Sequence, residues 1–187
     1  MKRVDLATFD ARAFDRGRPA IIEAIWILVQ ALLVSSWLPG SWHRSVLLRL
    51  FGAKIGRGVR IKPGVRVKFP WRLSIGNDCW IGENVWIDNL ADVTMGSNCC
   101  ISQGAYLCTG NHDWSKGSFD LKVGPIVIAD AAWIAARATV APGVSIDEGA
   151  VLGIGSVALK SLEGWKIYSG NPATAVKDRN LLLGPDL

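Results

Sequence analysis

The stretch from Ile128 to Glu163 decides the fold, because it repeats every six residues almost without interruption. It divides into IADAAW, IAARAT, VAPGVS, IDEGAV, LGIGSV and ALKSLE; each unit opens on an aliphatic residue or alanine and places a small or apolar residue four positions later. Helices repeat their apolar positions at about 3.6 residues and strands at about 2. A period of six therefore predicts short straight segments joined by regular corners, as in a hexapeptide β-helix.

The same period extends back to Ile55 and gives five predicted coils of three faces each. The opening residues are Ile55, Ile61, Val67, Ile75, Ile81, Ile87, Met95, Ile101, Leu107, Ile128, Ile134, Val140, Ile146, Leu152 and Ala158. We expect them to point into a triangular shaft, each stacked on its equivalent one coil away. Residues that favour corner conformations hold the fourth place of six units: Gly58, Gly64, Asn84, Gly104, Gly143 and Gly149. The sequence therefore predicts an all-β chain, a parallel β-helix of about five hexapeptide coils.

An apolar run from Pro19 to Leu38 precedes the coils and predicts a helix. Its length is borderline for spanning a bilayer. Glu23 and Gln30, seven residues apart, mark one slightly polar face. The pattern therefore favours a helix that lies on a surface over one that crosses a membrane.

A second, amphipathic helix is predicted from Trp42 to Phe51, with Gly52 ending it. We expect Val46, Leu47 and Leu50 on its apolar face and Arg44 and Arg49 off that face. Both helices and the C-terminal segment are candidates to cover the open ends of the shaft. The expected division is an N-terminal lead-in with two helices (1–54), the β-helix with an inserted loop at 110–125 (55–171), and a C-terminal capping segment with a short helix (172–187).

The bulk composition limits the classes of function. The chain has 187 residues and a net charge of +5 from 21 basic and 16 acidic residues. No helix carries a basic stripe, so nothing points to a nucleic-acid partner, whereas an anionic ligand or a membrane surface fits. Four cysteines without a C-x-x-C pair indicate reduced thiols in a cytoplasmic protein. Cys79 and Cys99 occupy the same hexad position one coil apart, which predicts core packing.

Two-residue extensions precede Ile75, Met95 and Ile128, and beyond these the period has one large break. The step from Leu107 to Ile126 is nineteen residues where the corresponding steps are six, so thirteen residues are inserted at one corner. The excess lies near Gly110 to Pro125, where the sequence reads GNHDWSKGSFDLKVG, and function is commonly carried on such excursions from a rigid scaffold. His112 in this loop could act as a general base on a bound hydroxyl, or it could only hydrogen-bond the loop.

Three stretches together resemble a known family: the loop GNHDW, the run WIAARATVAPGVSIDEGAVLGIGSV, and the ending SGNPATAVKDR. They are similar to the hexapeptide-repeat acyltransferases with a left-handed β-helix, and more narrowly to the colanic-acid-type O-acetyltransferases of extracellular polysaccharide biosynthesis. The resemblance covers roughly Arg44 to Arg179. It implies a homotrimer with acetyl-CoA in the groove between neighbouring β-helices and no metal ion. The left hand comes from the resemblance alone, since the handedness rule for parallel crossovers predicts the opposite.

The resemblance also implies a mechanism and an acceptor site. His112 removes a proton from the acceptor hydroxyl, which attacks the thioester directly. Asn111 and Asp113 could orient the ring or the sugar, and Trp114 offers a flat face for a pyranose. Asn84 and Asn89 match the region that lines the acceptor pocket in related enzymes. Asn84 has an equal alternative role as a corner residue.

For the donor, the resemblance places pantetheine along the coil that contains Trp133, Ala135, Ala136, Ala141 and Pro142, where small side chains let a ligand approach the backbone. Further residues continue that wall or could meet the adenosine phosphates: Gly153, Gly155, Ser156, Lys160, Lys166, Lys177 and Arg179. A nucleophilic Cys108, four residues before the loop histidine, is the competing mechanism.

Charge is distributed unevenly along the predicted coils. Seven basic residues and no acid lie between 54 and 72, whereas the next coil brings four acids. One interpretation is a solvated face. The other is that the apolar helix at 19–38 and the basic first coil hold the enzyme against the inner face of the cytoplasmic membrane, where amphipathic burial and attraction to anionic lipid reinforce each other.

Two other functions stay open at this point. An amino-sugar N-acetyltransferase uses the same fold and base, and a non-catalytic β-helix scaffold would share only the shape. The metal-dependent hexapeptide carbonic anhydrases need three histidines around the shaft, and only His112 lies in the coils. The favoured prediction is an acetyl-CoA-dependent O-acetyltransferase acting on a saccharide or lipid-linked saccharide.

Overall fold

A computed structural model describes residues 4–10 and 13–181, and in it the six-residue units form three parallel sheets around a triangular shaft. Face A consists of β1 (Lys54–Ile55), β4 (Leu73–Ile75), β7 (Val93–Met95), β12 (Ile126–Ile128) and β15 (Ser145–Ile146). Face B consists of β2 (Arg60–Ile61), β5 (Trp80–Ile81), β8 (Cys100–Ile101), β13 (Trp133–Ile134), β16 (Val151–Leu152), β18 (Lys166–Gly170) and β19 (Ala173–Asp178). Face C consists of β3 (Arg66–Val67), β6 (Trp86–Asp88), β9 (Tyr106–Cys108), β14 (Thr139–Val140) and β17 (Val157–Ala158).

The predicted stacking of opening residues is confirmed. Ile55 pairs with Ile75 on face A, and Ile61 pairs with Ile81 on face B. Every opening residue named above is buried, from Ile55 to Ala158, as are Cys79 and Cys99. The shaft is therefore one continuous apolar core, with each coil covering its neighbour.

The predicted corners are also confirmed by the backbone, because all six residues have positive φ. Among them Asn84 has φ 59°, a conformation that asparagine tolerates better than most other side chains. Equivalent corners that the sequence did not single out have similar values: Asp78, Asn98, Ala131 and Arg137. Hydrogen bonds within the repeat hold these less favourable residues in place, for example from the amide of Arg137 to the carbonyl of Gln103 at 2.9 Å.

The C-terminal end differs from the prediction in two ways. A sixth, incomplete turn follows the fifth coil, since Leu162 bridges to Ile146 and β18 pairs in parallel with β16. The short C-terminal helix is wrong for the described part of 172–187, because β19 lies antiparallel to β18. The open edge of β18 gives this segment hydrogen-bond partners that a helix would not use. Residues 182–187 lie outside the described part of the chain.

Two helices precede the coils. Helix α1 runs over Ala20–Val29 and continues as a π-helical turn over Gln30–Val34, so the helical part of the apolar run ends before Leu38. Helix α2 spans Trp42–Leu50, as predicted, and Gly52 follows it with φ 98°. Short 3₁₀ turns lie at Leu6–Thr8 and Pro70–Arg72. Within residues 4–10 and 13–181, no helix is both long and apolar enough to cross a membrane.

The helices cover the exposed strand edges of the first coil, one face at a time. The indole N–H of Trp26 donates to the carbonyl of Val67 on face C at 2.8 Å. The hydroxyl of Ser41 accepts a hydrogen bond from the amide of Ile61 on face B. The guanidinium of Arg49 donates to the carbonyl of Ile55 on face A at 2.8 Å. The backbone groups of the first coil thus find partners in the N-terminal cap, which closes this end of the β-helix.

The predicted orientation of α2 is wrong at three positions. Arg44 is fully buried, whereas Val46 and Leu50 are exposed. Leu47 packs against the core and Arg49 is exposed, as expected. The guanidinium of Arg44 donates to the carbonyls of Val34, Ser36, Leu38 and Gly40, which lie in the π-helical turn and the connection to α2. An arginine can be buried here because backbone carbonyls that would otherwise lack donors surround it.

Candidate active site

The thirteen-residue insertion forms a β-hairpin that leaves the coil after β9 and rejoins it at β12. Strand β10 (Gly110–His112) pairs antiparallel with β11 (Leu121–Val123), and His112 lies opposite Leu121. The amide of Asp113 donates to the carbonyl of Asp120 at 2.7 Å, which continues the ladder toward the turn. The hairpin therefore projects from the corner between faces C and A, with His112 near its turn.

The imidazole of His112 is held in one tautomer. Its Nδ1 atom lies 2.7 Å from the carbonyl oxygen of Phe119. A carbonyl oxygen only accepts hydrogen bonds, so Nδ1 carries the proton of the neutral ring and Nε2 keeps its lone pair. The ring stacks on the Phe119 ring at a centroid distance of 4.4 Å and an interplanar angle of 8°. An imidazole fixed in this way can accept a proton at Nε2.

The ring partners of His112 were missed from the sequence. Besides Phe119 they include Phe9, whose ring meets the imidazole edge-on at 5.6 Å. Phe9 belongs to the N-terminal segment, which is tied to the hairpin by a hydrogen bond from the amide of Asp5 to the carbonyl of Gly117 at 2.9 Å. This segment has no periodicity, and an aromatic residue among polar ones was its only visible signal.

The predicted neighbours of His112 in the loop act on the backbone and not on the imidazole. Asn111 Oδ1 accepts a hydrogen bond from the His112 amide at 2.8 Å. Asp113 is 8% exposed; it accepts hydrogen bonds from Ser115 and forms an ion pair with Lys122 at 3.0 Å. These partners, Ser115 first, lower the pKa of Asp113 to about 2, so the carboxylate stays ionised at neutral pH. Asn111 and Asp113 therefore stabilise the hairpin.

A cavity of about 570 Å³ lies beside the hairpin, between it and the N-terminal segment. It adjoins His112 through Phe9, which touches the imidazole, and through Leu121, its strand partner. Carboxylates, one guanidinium and aromatic rings line it, a mixture suited to a polyhydroxylated ligand with an apolar ring face. Its lining residues are Phe9, Asp10, Ala13, Phe14, Asp15, Arg72, Asp120, Leu121 and Val123.

The three remaining acceptor candidates are not brought together with this cavity. Asn89 is fully buried, and its amide bonds the N–H and C=O of Phe69 at 2.9 and 2.7 Å. Both ends of the Asn89 amide thus have partners within the chain, and its role near the acceptor stays a prediction. Asn84 is exposed at its corner and its positive φ supports the alternative structural role. Trp114 is 80% exposed at the hairpin turn.

A groove of about 550 Å³ on face B gathers five of the predicted donor-binding residues. They are Trp133, Ala135, Ala136, Gly153 and Arg179, accompanied by Ser102, Gln103, Val151, Ile154 and Ile167. The indole N–H of Trp133 donates to the Ser102 hydroxyl at 2.9 Å, which fixes the wall of the groove. The apolar walls and small side chains give room for an extended chain such as pantetheine beside backbone polar groups.

The other donor candidates lie elsewhere. Ala141 and Pro142 follow β14, at the corner where the hairpin rejoins the coil. Gly124 of the rejoining segment packs closely there, because a Cβ added to it would lie 3.1 Å from the carbonyl carbon of Pro142. Ser156 is fully buried and its hydroxyl accepts from the Gly170 amide at 3.0 Å, so its predicted place in the donor wall stays a prediction.

The basic candidates near the C-terminus have different surroundings. Lys166 forms an ion pair with Glu163. Arg179 donates to the carbonyls of Ala131 and Gly149 at 2.8 and 2.9 Å, which holds it at the edge of the groove. Lys160, Lys177 and Gly155 are exposed. In the part of the chain that the structure describes, no group of three or more His, Cys, Asp or Glu side chains could hold a metal ion.

Comparisons with solved structures support the fold. A hexapeptide-repeat acetyltransferase of Vibrio cholerae complexed with acetyl-CoA superposes with a TM-score of 0.79 at 21% identity, covering 86% of this chain and 88% of that one. A maltose O-acetyltransferase of Clostridium difficile gives a TM-score of 0.73 at 20% identity over 90% and 91% of the two chains. At these identities the likeness concerns the fold alone.

Comparison with characterised sequences goes further, although no protein-family model matches the chain. The galactoside O-acetyltransferase of Escherichia coli is 26% identical over 140 residues, 73% of this chain and 69% of that protein. The putative colanic acid biosynthesis acetyltransferase WcaF of Escherichia coli is 41% identical over 177 residues, 94% of this chain and 97% of that protein. An identity this high over nearly the whole of both proteins, together with the coils, the hairpin and the groove, shows that the chain belongs to the colanic-acid-type family of hexapeptide-repeat acetyltransferases.

Proposed function

We propose that the protein transfers the acetyl group of acetyl-CoA to a hydroxyl of a saccharide or lipid-linked saccharide in surface polysaccharide synthesis, with His112 as the general base. The observation that carries the proposal is the contact between Nδ1 of His112 and the Phe119 carbonyl, which leaves the Nε2 lone pair to take a proton. Two neighbours of His112, Phe9 and Leu121, line the adjoining cavity. The names of two relatives, one for colanic acid biosynthesis and one for galactoside O-acetylation, support a sugar hydroxyl as acceptor. Acetyl-CoA as donor fits a cytoplasmic reaction.

In the proposed reaction, Nε2 of His112 removes the hydroxyl proton as the acceptor oxygen forms a bond to the thioester carbonyl carbon. The carbonyl electron pair moves to oxygen and returns when the carbon–sulfur bond breaks. The protonated imidazole then delivers its Nε2 proton to the departing thiolate, which leaves the acetyl ester and free CoA. The Phe119 carbonyl stabilises the imidazolium through Nδ1–H at 2.7 Å. A backbone N–H is the proposed donor to the oxyanion.

The separation of the donor candidates supports a homotrimer. Trp133 and Ala136 belong to the face B groove, whereas Ala141 and Pro142 lie beyond face C, at the next corner of the coil. If both sets hold one acetyl-CoA molecule, two neighbouring chains must supply them. We place the donor between two copies, along the groove of one and the hairpin corner of the next, as the trimeric architecture implies.

Ala136→Trp tests the groove. The indole fills space that the small alanine leaves, and an overpacked contact costs about 1–3 kcal/mol. We expect KM for acetyl-CoA to rise roughly 10-fold or more with a smaller change in kcat. Ala24→Trp, at an exposed position on α1, is the matched control and keeps the wild-type KM. Equal KM values for the two variants contradict the placement.

Acceptor-dependent release of CoA tests the function itself. We expect a thiol assay with acetyl-CoA and a panel of saccharides to show release with a hydroxyl acceptor, and mass spectrometry to show one added acetyl that hydroxylamine removes as an ester. Release that no saccharide in the panel stimulates contradicts a saccharide acetyltransferase. A hydroxylamine-stable product formed only on amino sugars instead selects the N-acetyltransferase.

A further inference from the structure

Helix α1 and its π-helical turn direct Trp26 and Gln30 toward the β-helix and leave an aliphatic face exposed to solvent. Gln30 Oε1 accepts a hydrogen bond from the Val67 amide at 2.6 Å, beside the bond that Trp26 makes to the same residue. Glu23 is paired with Arg16 at 2.7 Å. The polar face predicted from the sequence, Glu23 and Gln30, is therefore bonded to other groups within the chain. What remains outward is apolar.

The outward face is an uninterrupted aliphatic stripe. Ile21, Ile25, Leu28 and Leu32 follow the spacing of one helix face, and each is between 44 and 65% exposed. Eleven of the 23 large exposed apolar side chains in the described residues lie between 21 and 50. Single exposed apolar residues are ordinary on a protein surface, but a contiguous set marks an interaction site.

Two tryptophans flank the stripe. Trp37 lies between the π-helical turn and α2, Trp42 is the first residue of α2, and the two are 79 and 73% exposed. Trp42 meets the His43 ring edge-on at 6.3 Å and leaves most of its indole exposed. Indole rings combine an apolar body with one N–H donor, and they concentrate where hydrocarbon meets water.

Charge around the stripe is strongly basic. Residues 16–77 contain eleven Lys and Arg and a single acid, Glu23, a net charge of +10 in a chain whose total is +5. The remainder of the protein is therefore net negative. Lys62 and Lys68 lie near Glu83 and Asp88 of the next coil, at 3.9 and 3.6 Å. The structure gives no acidic partner within 4 Å to Lys54, Arg57, Arg60 or Arg66 among its described residues.

We propose that this end of the protein docks on an anionic lipid bilayer, with the aliphatic stripe of α1 in the interface and the basic first coil against the headgroups. The helical part, 10 residues of α1 and 5 of the π-helical turn, is about 22 Å long at 1.5 Å per residue. A hydrocarbon core is about 30 Å thick, so this helix lies in the interface plane. Net positive charge disfavours face-to-face pairing of two such ends and favours an anionic surface.

Vesicle flotation tests the docking face with the full-length protein. We expect flotation with phosphatidylcholine vesicles that contain phosphatidylglycerol, and little with phosphatidylcholine alone. Leu28→Glu/Leu32→Glu places two charges on the stripe and should abolish flotation. Lys54→Gln/Arg57→Gln removes two basic side chains and should weaken partitioning roughly 30-fold at low salt, with a smaller effect at high salt.

Val176→Glu is the matched control for the stripe, because Val176 is 63% exposed on β19, far along the chain from the basic coil. It should float like the wild type. Size-exclusion chromatography with light scattering accompanies each variant, and thermal unfolding checks that it is folded. Wild-type protein that stays at the bottom with anionic vesicles overturns the proposal. So does a Leu28→Glu/Leu32→Glu variant that dissociates the assembly, since the stripe would then be an interface between copies.

Discussion

His112→Ala should reduce kcat on the order of 10²- to 10⁴-fold, the range that a general base contributes. The substitution removes the Nε2 lone pair and leaves the β-hairpin backbone, because strand pairing with Leu121 does not use the imidazole. KM for acetyl-CoA should change little, since His112 is not among the groove residues on face B that we assign to the donor. Steady-state thiol release with a saturating acceptor measures both constants.

His43→Ala is the matched control, because His43 is the only other histidine and lies in α2, outside the proposed site. We expect near-wild-type turnover for it. If His112→Ala also turned over at the wild-type rate, the general-base mechanism would be wrong while the saccharide acetyltransferase could still stand. In that case a Cys108→Ser variant would test the competing nucleophile, whose thiol donates to the Gly110 carbonyl at 3.1 Å in the folded chain.

The sequence predicted the coils down to individual residues because a hexapeptide repeat is a local rule applied many times. Each opening residue contacts its equivalent one coil away. Once the register of one coil is known, the buried residues of every other coil in the shaft follow. Position 84 shows the same logic, since Asn in the fourth place of a hexad predicts the observed φ of 59°. His112 was identified for the opposite reason, because it lies where the six-residue period is interrupted.

The surroundings of that histidine could not be predicted in the same way. Phe9 contacts His112 across about a hundred residues of chain, and no period links the two positions. Asn89 was assigned to the acceptor by resemblance, whereas its burial depends on the 3₁₀ turn that follows Phe69. Such contacts are set by how the N-terminal segment and the first coil pack, which sequence pattern alone does not encode.

Predictions for the two ends of the shaft were wrong for a related reason. Amphipathic patterns assume that the polar face meets water, but α1 and α2 meet the open strand edges of the first coil. Those edges present unpaired amides and carbonyls, so polar side chains face inward. At the other end the open edge of β18 also needs hydrogen-bond partners. The segment predicted as a helix therefore forms β19, which pairs with β18.

Arg44→Met should lower the free energy of unfolding by about 1–3 kcal/mol for each carbonyl that is left buried without a donor. Arg44 is fully buried and its guanidinium is the donor to four backbone carbonyls. Methionine fills similar space but donates nothing, so those carbonyls lose their partners within the core of the cap. Urea unfolding at one fixed protein concentration measures the change, since assembly also contributes to stability.

Arg57→Met is the matched control and should unfold near the wild-type midpoint, because Arg57 is exposed. Arg44→Lys should recover only part of the loss, since an ammonium group cannot reach all the carbonyls that a planar guanidinium reaches. Equal midpoints for Arg44→Met and Arg57→Met contradict the structural role.

Because two of the carbonyls belong to Val34 and Ser36, at the end of the π-helical turn, loss of Arg44 also frees the segment that presents the aliphatic stripe. Arg44→Met should therefore weaken vesicle binding. It should affect the groove on face B less, because other coils build that groove.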